Sequence, residues 1–172
     1  MEPINALPQN WYAVHTKSRH EFQVVERLKQ KGINAFLPSV ERLRKWKDRK
    51  KIIEFPLFPG YLFVNISKDL QSILSVLKVT GVVRLLCTLP GEPDPIPDEQ
   101  IVSLQKLIEN KEALDHYPYL NEGQRVRIIK GPLSGVEGIL VEKLDRHLLV
   151  LSVDVLRQGV ALTINASDVE KI

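Results

Sequence analysis

Seven of the chain's 24 lysines and arginines fall within residues 41–51, beside only two acids, so these eleven residues carry a formal +5. The other 161 residues sum to −2. Arg42, Arg44, Lys45, Lys47, Arg49, Lys50 and Lys51 crowded in this way have one evident chemistry, the neutralisation of phosphates. Trp46 stands among them, and an indole at a charged tip offers a face on which a base or sugar stacks. The plainer reading is a solvated segment kept soluble by its charge. Lys17, Arg19 and Arg27 lie on or just before an expected helix. They either extend a track for a nucleic-acid backbone or form a wet helix face, and the residues alone leave both open.

Immediately after the basic stretch comes an aromatic run with Phe55, Phe58, Tyr61 and Phe63. Strand alternation sends Tyr61 and Phe63 to one sheet face and Leu62 and Val64 to the other. If helices cover one face only, Tyr61 and Phe63 form a protein-docking patch; if both faces are covered, they are core.

Catalytic chemistry is not apparent. His15, His20, His116 and His147 are far apart, with no cysteine or carboxylate at zinc-ligand spacings. Neither a glycine-rich phosphate loop nor a nucleophile elbow occurs. Glu92, Asp94, Asp98 and Glu99 flank proline-rich turns and a helix start, where the helix dipole alone favours acids. The expectation is a non-enzyme without metal or cofactor. Cys87, the single cysteine, sits in the apolar run VVRLLC and reads as a small buried hydrophobe. No apolar run approaches the roughly 18 residues of a membrane span, and the N-terminus lacks the pattern of a signal peptide. A soluble cytoplasmic protein is expected.

The elements that must position these groups follow from periodicity and breakers. Residues 11–15 read as an early strand. Ser18-Arg-His-Glu21 matches a capping box, with Phe22, Val25 and Leu28 on one helical face and Gly32 at the stop. Extended segments on either side of residues 41–51 predict a long hairpin there, with a charged helix as the alternative. Residues 61–66 read as a central strand. Leu70, Ile73, Leu74 and Leu77 give an amphipathic helix, ended by Gly81. Residues 82–86 form another strand, residues 89–97 an irregular loop, and Asp98 caps a last helix with Ile101, Leu104, Leu107 and Ile108 inward.

The order β-α-β-β-α-β-α describes an α+β domain, an antiparallel or mixed sheet flanked by helices, over residues 1–109. Residues 110–121 lose periodicity and read as a linker. Residues 122–172 hold several short β-rich runs with glycines at 123, 131, 135, 138 and 159, the pattern of a small β-barrel. Seven basic and seven acidic residues leave that segment formally neutral, so its electrostatic affinity for nucleic acid is weak.

The residues WYAV (11–14), the basic hairpin, FPLFPGYLFV (55–64) and VTGVV (79–83) resemble the N-terminal domain of NusG-type transcription factors. EGQRVRIIKGPLSGVEGILVE (122–142) resembles the KOW motif that opens their small SH3-like barrel. The resemblance implies a bacterial, non-enzymatic, monomeric factor riding on RNA polymerase. Phe58, Tyr61 and Phe63 would dock on the clamp helices of the largest subunit. Ser72, Ile73 and Leu74 would face the opposing polymerase lobe. The hairpin, with Arg44, Lys45, Trp46, Lys47, Arg49 and Lys50, would touch non-template DNA, joined by Lys17 and Arg19. Bridging two lobes favours the closed clamp and disfavours pausing.

Housekeeping members carry phenylalanines in two barrel loops, where Rho or a ribosomal protein binds. Here those loops read GPLS (131–134) and VLRQG (155–159), a departure from the pattern for Rho. The tryptophan-bearing hairpin and PLFPGYLFV resemble specialised paralogues such as RfaH and the antiterminators of polysaccharide operons. Operon-specific antitermination is therefore the leading expectation. A housekeeping NusG, or a KOW-type RNA- or ribosome-binding protein, stands as the alternative. An all-helical C-terminal domain like that of RfaH is disfavoured by turn-forming glycines 131, 135 and 138.

Overall fold

The structure is a computed structural model that describes residues 7–46, 49–110, 115–118, 123–143 and 146–172. Its elements run β1 (Gln9–Thr16), α1 (Glu21–Gln30), β2 (Asn34–Phe36), β3 (Ser39–Trp46), β4 (Arg49–Pro56), β5 (Tyr61–Ser67), α2 (Leu70–Leu77), β6 (Val82–Leu85), β7 (Pro95–Ile96) and α3 (Asp98–Glu109). Then follow β8 (Asp115–Pro118), β9 (Gln124–Ile128), β10 (Glu137–Lys143), β11 (Arg146–Val153), β12 (Gln158–Ile164) and β13 (Val169–Lys171). None of the helices is long and apolar enough to cross a membrane, among the described residues.

By compactness the chain divides into residues 1–37 with 59–98, and residues 38–58 with 99–172. In the first unit the strands lie in the order β2-β5-β1-β6, with β7 also paired to β1. Every pairing in this sheet is antiparallel. Alternation places Tyr12 and Val14 of β1 and Leu62, Val64 and Ile66 of β5 in one buried cluster with Val24, Val25 and Leu28 of α1 and Val76 of α2. The second unit holds the two-stranded β3–β4 hairpin, α3 and a six-stranded antiparallel sheet in the order β13-β9-β10-β11-β12-β8. Val126, Ile128, Val136, Leu149, Leu151, Val160 and Leu162 are buried there. Gly138 is required by packing, since a Cβ on it would come within 2.5 Å of the Val150 carbonyl oxygen. This is the α+β architecture expected, with the C-terminal part all-β.

Several local expectations fail for identifiable reasons. No capping box forms at α1: the helix starts at Glu21, its N-cap is His20, and no side chain caps it. The preceding turn is closed by His20 N–H donating to the Lys17 carbonyl, 3.1 Å, with Arg19 in the left-handed region at φ +62°. Ser18 is thus too early to cap. Glu21 is instead buried, and its carboxylate accepts from the Gly60 N–H at 2.7 Å. The helix does stop at Gly32, whose φ of +75° carries a Schellman pair: Ile33 N–H to Leu28 O and Gly32 N–H to Lys29 O. Phe22 is exposed, and Val24 takes the inward place.

In α2 the stripe Leu70, Leu74 and Leu77 faces solvent, while Ile73 and Val76 face the core. An eight-residue helix with five aliphatic residues carries two overlapping apolar stripes, and periodicity cannot choose between them. Cys87 is exposed: β6 ends at Leu85, Leu86 N–H still donates to Ala13 O, and the chain then leaves the sheet. The loop over 89–97 contains β7, and the expected linker contains β8, which pairs with β12. Pairing partners far along the chain make strands of both, and local composition cannot reveal them.

Candidate protein and nucleic-acid interfaces

The basic segment is the predicted hairpin. Strands β3 and β4 pair in continuous register from Ser39 opposite Pro56 to Trp46 opposite Arg49. Arg42, Arg44, Arg49, Lys50 and Lys51 are exposed. The Arg44 guanidinium lies 5.2 Å from the centroid of the Phe55 ring, a cation–π contact that limits the wandering of one basic group. Near the base Ser39 Oγ donates to Glu54. Lys47 lies outside the described residues, and so do the side chains of Lys45 and Trp46, on which the stacking expectation rests.

Lys17 and Arg19 occupy the turn after β1, in the other compact unit, and both are exposed. Backbone bonds hold this turn, Thr16 N–H to Gly60 O and Lys17 N–H to Gly81 O, each 2.8 Å. Arg27 is half-buried and donates from Nη1 to the Thr80 carbonyl at 2.7 Å. Of the three cations left open by the sequence, Arg27 is thus tied down within its own unit.

The aromatic run behaves differently. Alternation holds on β5: Leu62 and Val64 join the helix-packed core, and Phe63 lies outside that cluster. Phe63 is nonetheless fully buried, and so is Phe58. Phe63 packs on Phe36 at 6.2 Å between ring centroids, and Phe36 meets the Trp11 edge at 6.4 Å. Tyr61 is half-buried and stacks on His15, 5.2 Å apart with 30° between the planes. The condition under which Phe63 would be a surface residue, an uncovered sheet face, is therefore not met in this conformation. Spacing along the chain marks His15 only as a histidine far from the other three. Its place beside Tyr61 comes from the β1–β5 register, in which the two are directly opposed.

On α2, Asp69 is the N-cap, accepting from Ser72 N–H at 2.9 Å and from Ser72 Oγ–H at 2.6 Å. These two bonds hold the Asp69 carboxyl below its ordinary pKa, the hydroxyl being the larger cause. Ser72 thus serves the cap and Ile73 packs on the core. Leu74, with Leu70 and Leu77, is the exposed part of this group. In the C-terminal sheet, Leu133 and Leu156, which stand in the two altered loops, are buried, and neither loop presents an aromatic.

The family model described as transcription termination factor nusG matches residues 9–105. A transcription termination/antitermination protein NusG from Campylobacter jejuni is 30% identical, aligning 94% of this chain and 97% of its own length. One of the same name from Borreliella burgdorferi is 29% identical over 96% of this chain and all of its own. Among solved structures, that of domain interaction in Thermotoga maritima NusG superposes with a TM-score of 0.57 at 25% identity, covering 95% of this chain and 97% of that one. The match runs through the aromatic strand, the basic hairpin and α2, and with near full-length coverage of its relatives it shows that this chain belongs to the NusG family.

Proposed function

We propose that the protein is a non-enzymatic transcription elongation factor that binds RNA polymerase and suppresses pausing and termination. The observation that carries this reading is the near full-length alignment to proteins named for transcription termination and antitermination. The N-terminal unit docks on the clamp helices around the half-buried Tyr61, whereas Phe58 and Phe63 are each buried in this structure. The exposed Leu74 side of α2 meets the opposing lobe, and the hairpin lies against non-template DNA. Residues 1–109 act as the polymerase-binding part and the C-terminal sheet as a separate adaptor. Holding two lobes at once favours whichever clamp state presents both sites at the right separation.

The finer reading is an operon-specific antiterminator. Its support is in the C-terminal loops: Leu133 and Leu156 are turned into their own domain, so these loops offer no aromatic anchor to Rho. In an elongation assay on a template carrying the operon leader, the protein should shorten pauses and raise terminator read-through. Identical transcript patterns with and without it would overturn the proposal. A pull-down of Rho by the full chain would restore the housekeeping reading. Tyr61→Ala should weaken co-purification with polymerase; unchanged recovery would favour a ribosome- or RNA-binding role.

A further inference from the structure

Glu21, the first residue of α1, is an acid only 5% exposed. Taking a carboxylate out of water is costly unless strong hydrogen bonds replace its hydration. The first turn of a helix favours an acid, because the helix dipole is positive there. That contribution needs neither burial nor a distant partner, and a solvent-facing acid would supply it equally. Glu21 instead turns inward, and its Oε1 accepts from the Gly60 N–H, 39 residues away, at 2.7 Å. The reach calls for a reason other than the helix end.

Gly60 is held from both sides. Its N–H goes to Glu21, and its carbonyl accepts from the Thr16 N–H at 2.8 Å. Its φ of +84° is left-handed, the conformation in which the chain turns into β5. Tyr61 is the next residue, and His15, whose ring stacks on Tyr61 at 5.2 Å, precedes Thr16. A Cβ on Gly60 would stand 3.7 Å from His15 Cδ2, so the imidazole also lies against the turn itself. The direction in which the chain leaves Gly60 sets where the half-buried Tyr61 ring stands.

We infer that Glu21 is a positioning residue for partner docking: its carboxylate fixes the Gly60 turn, and through it the Tyr61–His15 stack, in the arrangement that polymerase meets. Being buried, it touches no partner itself. The inference rests on the proposed docking around Tyr61, and it gives a role to a residue that spacing marks only as part of a capping box. Without the carboxylate the Gly60 N–H loses this partner, and the turn gains conformations that misplace Tyr61. Apparent affinity then falls with the fraction of chains in the competent conformation.

Two substitutions separate reach from charge. Glu21→Gln keeps the length and an acceptor oxygen but removes the charge; Glu21→Asp keeps the charge at the start of α1 but is one methylene shorter. Full-length chains with wild-type circular dichroism are titrated against purified core RNA polymerase. Glu21→Asp should bind roughly tenfold more weakly, with the Tyr61 ring resonances moved from their His15-stacked positions. Glu21→Gln should stay within about threefold of wild type and keep those resonances. The reverse order would mean that the helix end needs only a charge, and would overturn the inference. In a Tyr61→Ala background Glu21→Asp should add no further loss, since both act through one contact; additive losses would overturn it too. If the Asp chain does not fold, Glu21→Gln still decides: a roughly tenfold loss overturns the inference, and retained binding with retained resonances supports it. Unchanged affinity in Tyr61→Ala alone would sink the docking reading. Weakened Tyr61→Ala beside a normal Glu21→Asp would sink only the positioning role.

Discussion

Hairpin β3–β4 and strand β5 are separated by a few residues, and both are rich in groups that could recognise a partner. In the hairpin the described basic side chains are exposed, and their identities answer to whatever they meet in solution. In β5, Leu62, Phe63 and Val64 are buried in succession, so packing alone accounts for their size and polarity. The same density of conspicuous residues therefore carries unequal information. An exposed cation cluster points first to something outside the chain. A buried aromatic points first to its own domain.

The largest test of this contrast is Phe63→Ala. Loss of a fully buried ring that packs on Phe36 should cost about 3–5 kcal/mol, read as a shift in the denaturant midpoint. A change below about 1 kcal/mol would mean that Phe63 is a surface group after all, and the contrast would collapse. Next comes Gly81→Ala, where φ is +103° and a Cβ would come within 2.7 Å of Val24 Cγ2. The strain should cost about 1–3 kcal/mol, with the melting temperature as readout; a neutral result would mean that the α1–sheet contact yields easily.

A smaller effect belongs to Asp69. Its folded carboxyl titrates below the unfolded value, so the stability it adds is present at neutral pH and lost as pH falls through the folded value. Asp69→Asn should therefore lose less stability than wild type on acidification. Parallel acid-unfolding curves would show that the Ser72 bonds do not couple to folding. Smallest of all, Arg44→Gln with Lys51→Gln should leave stability within about 0.5 kcal/mol, since both groups are exposed. A loss like that of Phe63→Ala would show the hairpin charges to be structural and remove the reason for assigning them a ligand.

Much of the fold is legible in the residues. The 11–15 strand, the Gly32 stop, the basic hairpin and the 61–66 strand all appear where alternation and breakers place them. Strand β8 is not legible, because its only signal is a partner some forty residues later in β12. Of the candidate site, the basic tip could be read directly, whereas the burial of Phe58 and Phe63 could not. His15 escaped notice because a histidine beside Tyr61 is a fact of pairing register, not of spacing along the chain.

Periodicity settles which residues of an element share a face, and so the chain's own order determines the charge anomaly at 41–51, the Tyr61/Phe63 and Leu62/Val64 split, and the family motifs. Which face then meets a core is a long-range matter. Only the packed structure turns Ile73 and Val76 inward and leaves Leu70, Leu74 and Leu77 in water, closes off Phe63, and joins β3 to β4 in the register that puts Arg42, Arg44, Arg49 and Lys51 together. The physical reason is that burial and cross-strand pairing are made with partners distant in sequence, and no local pattern contains them.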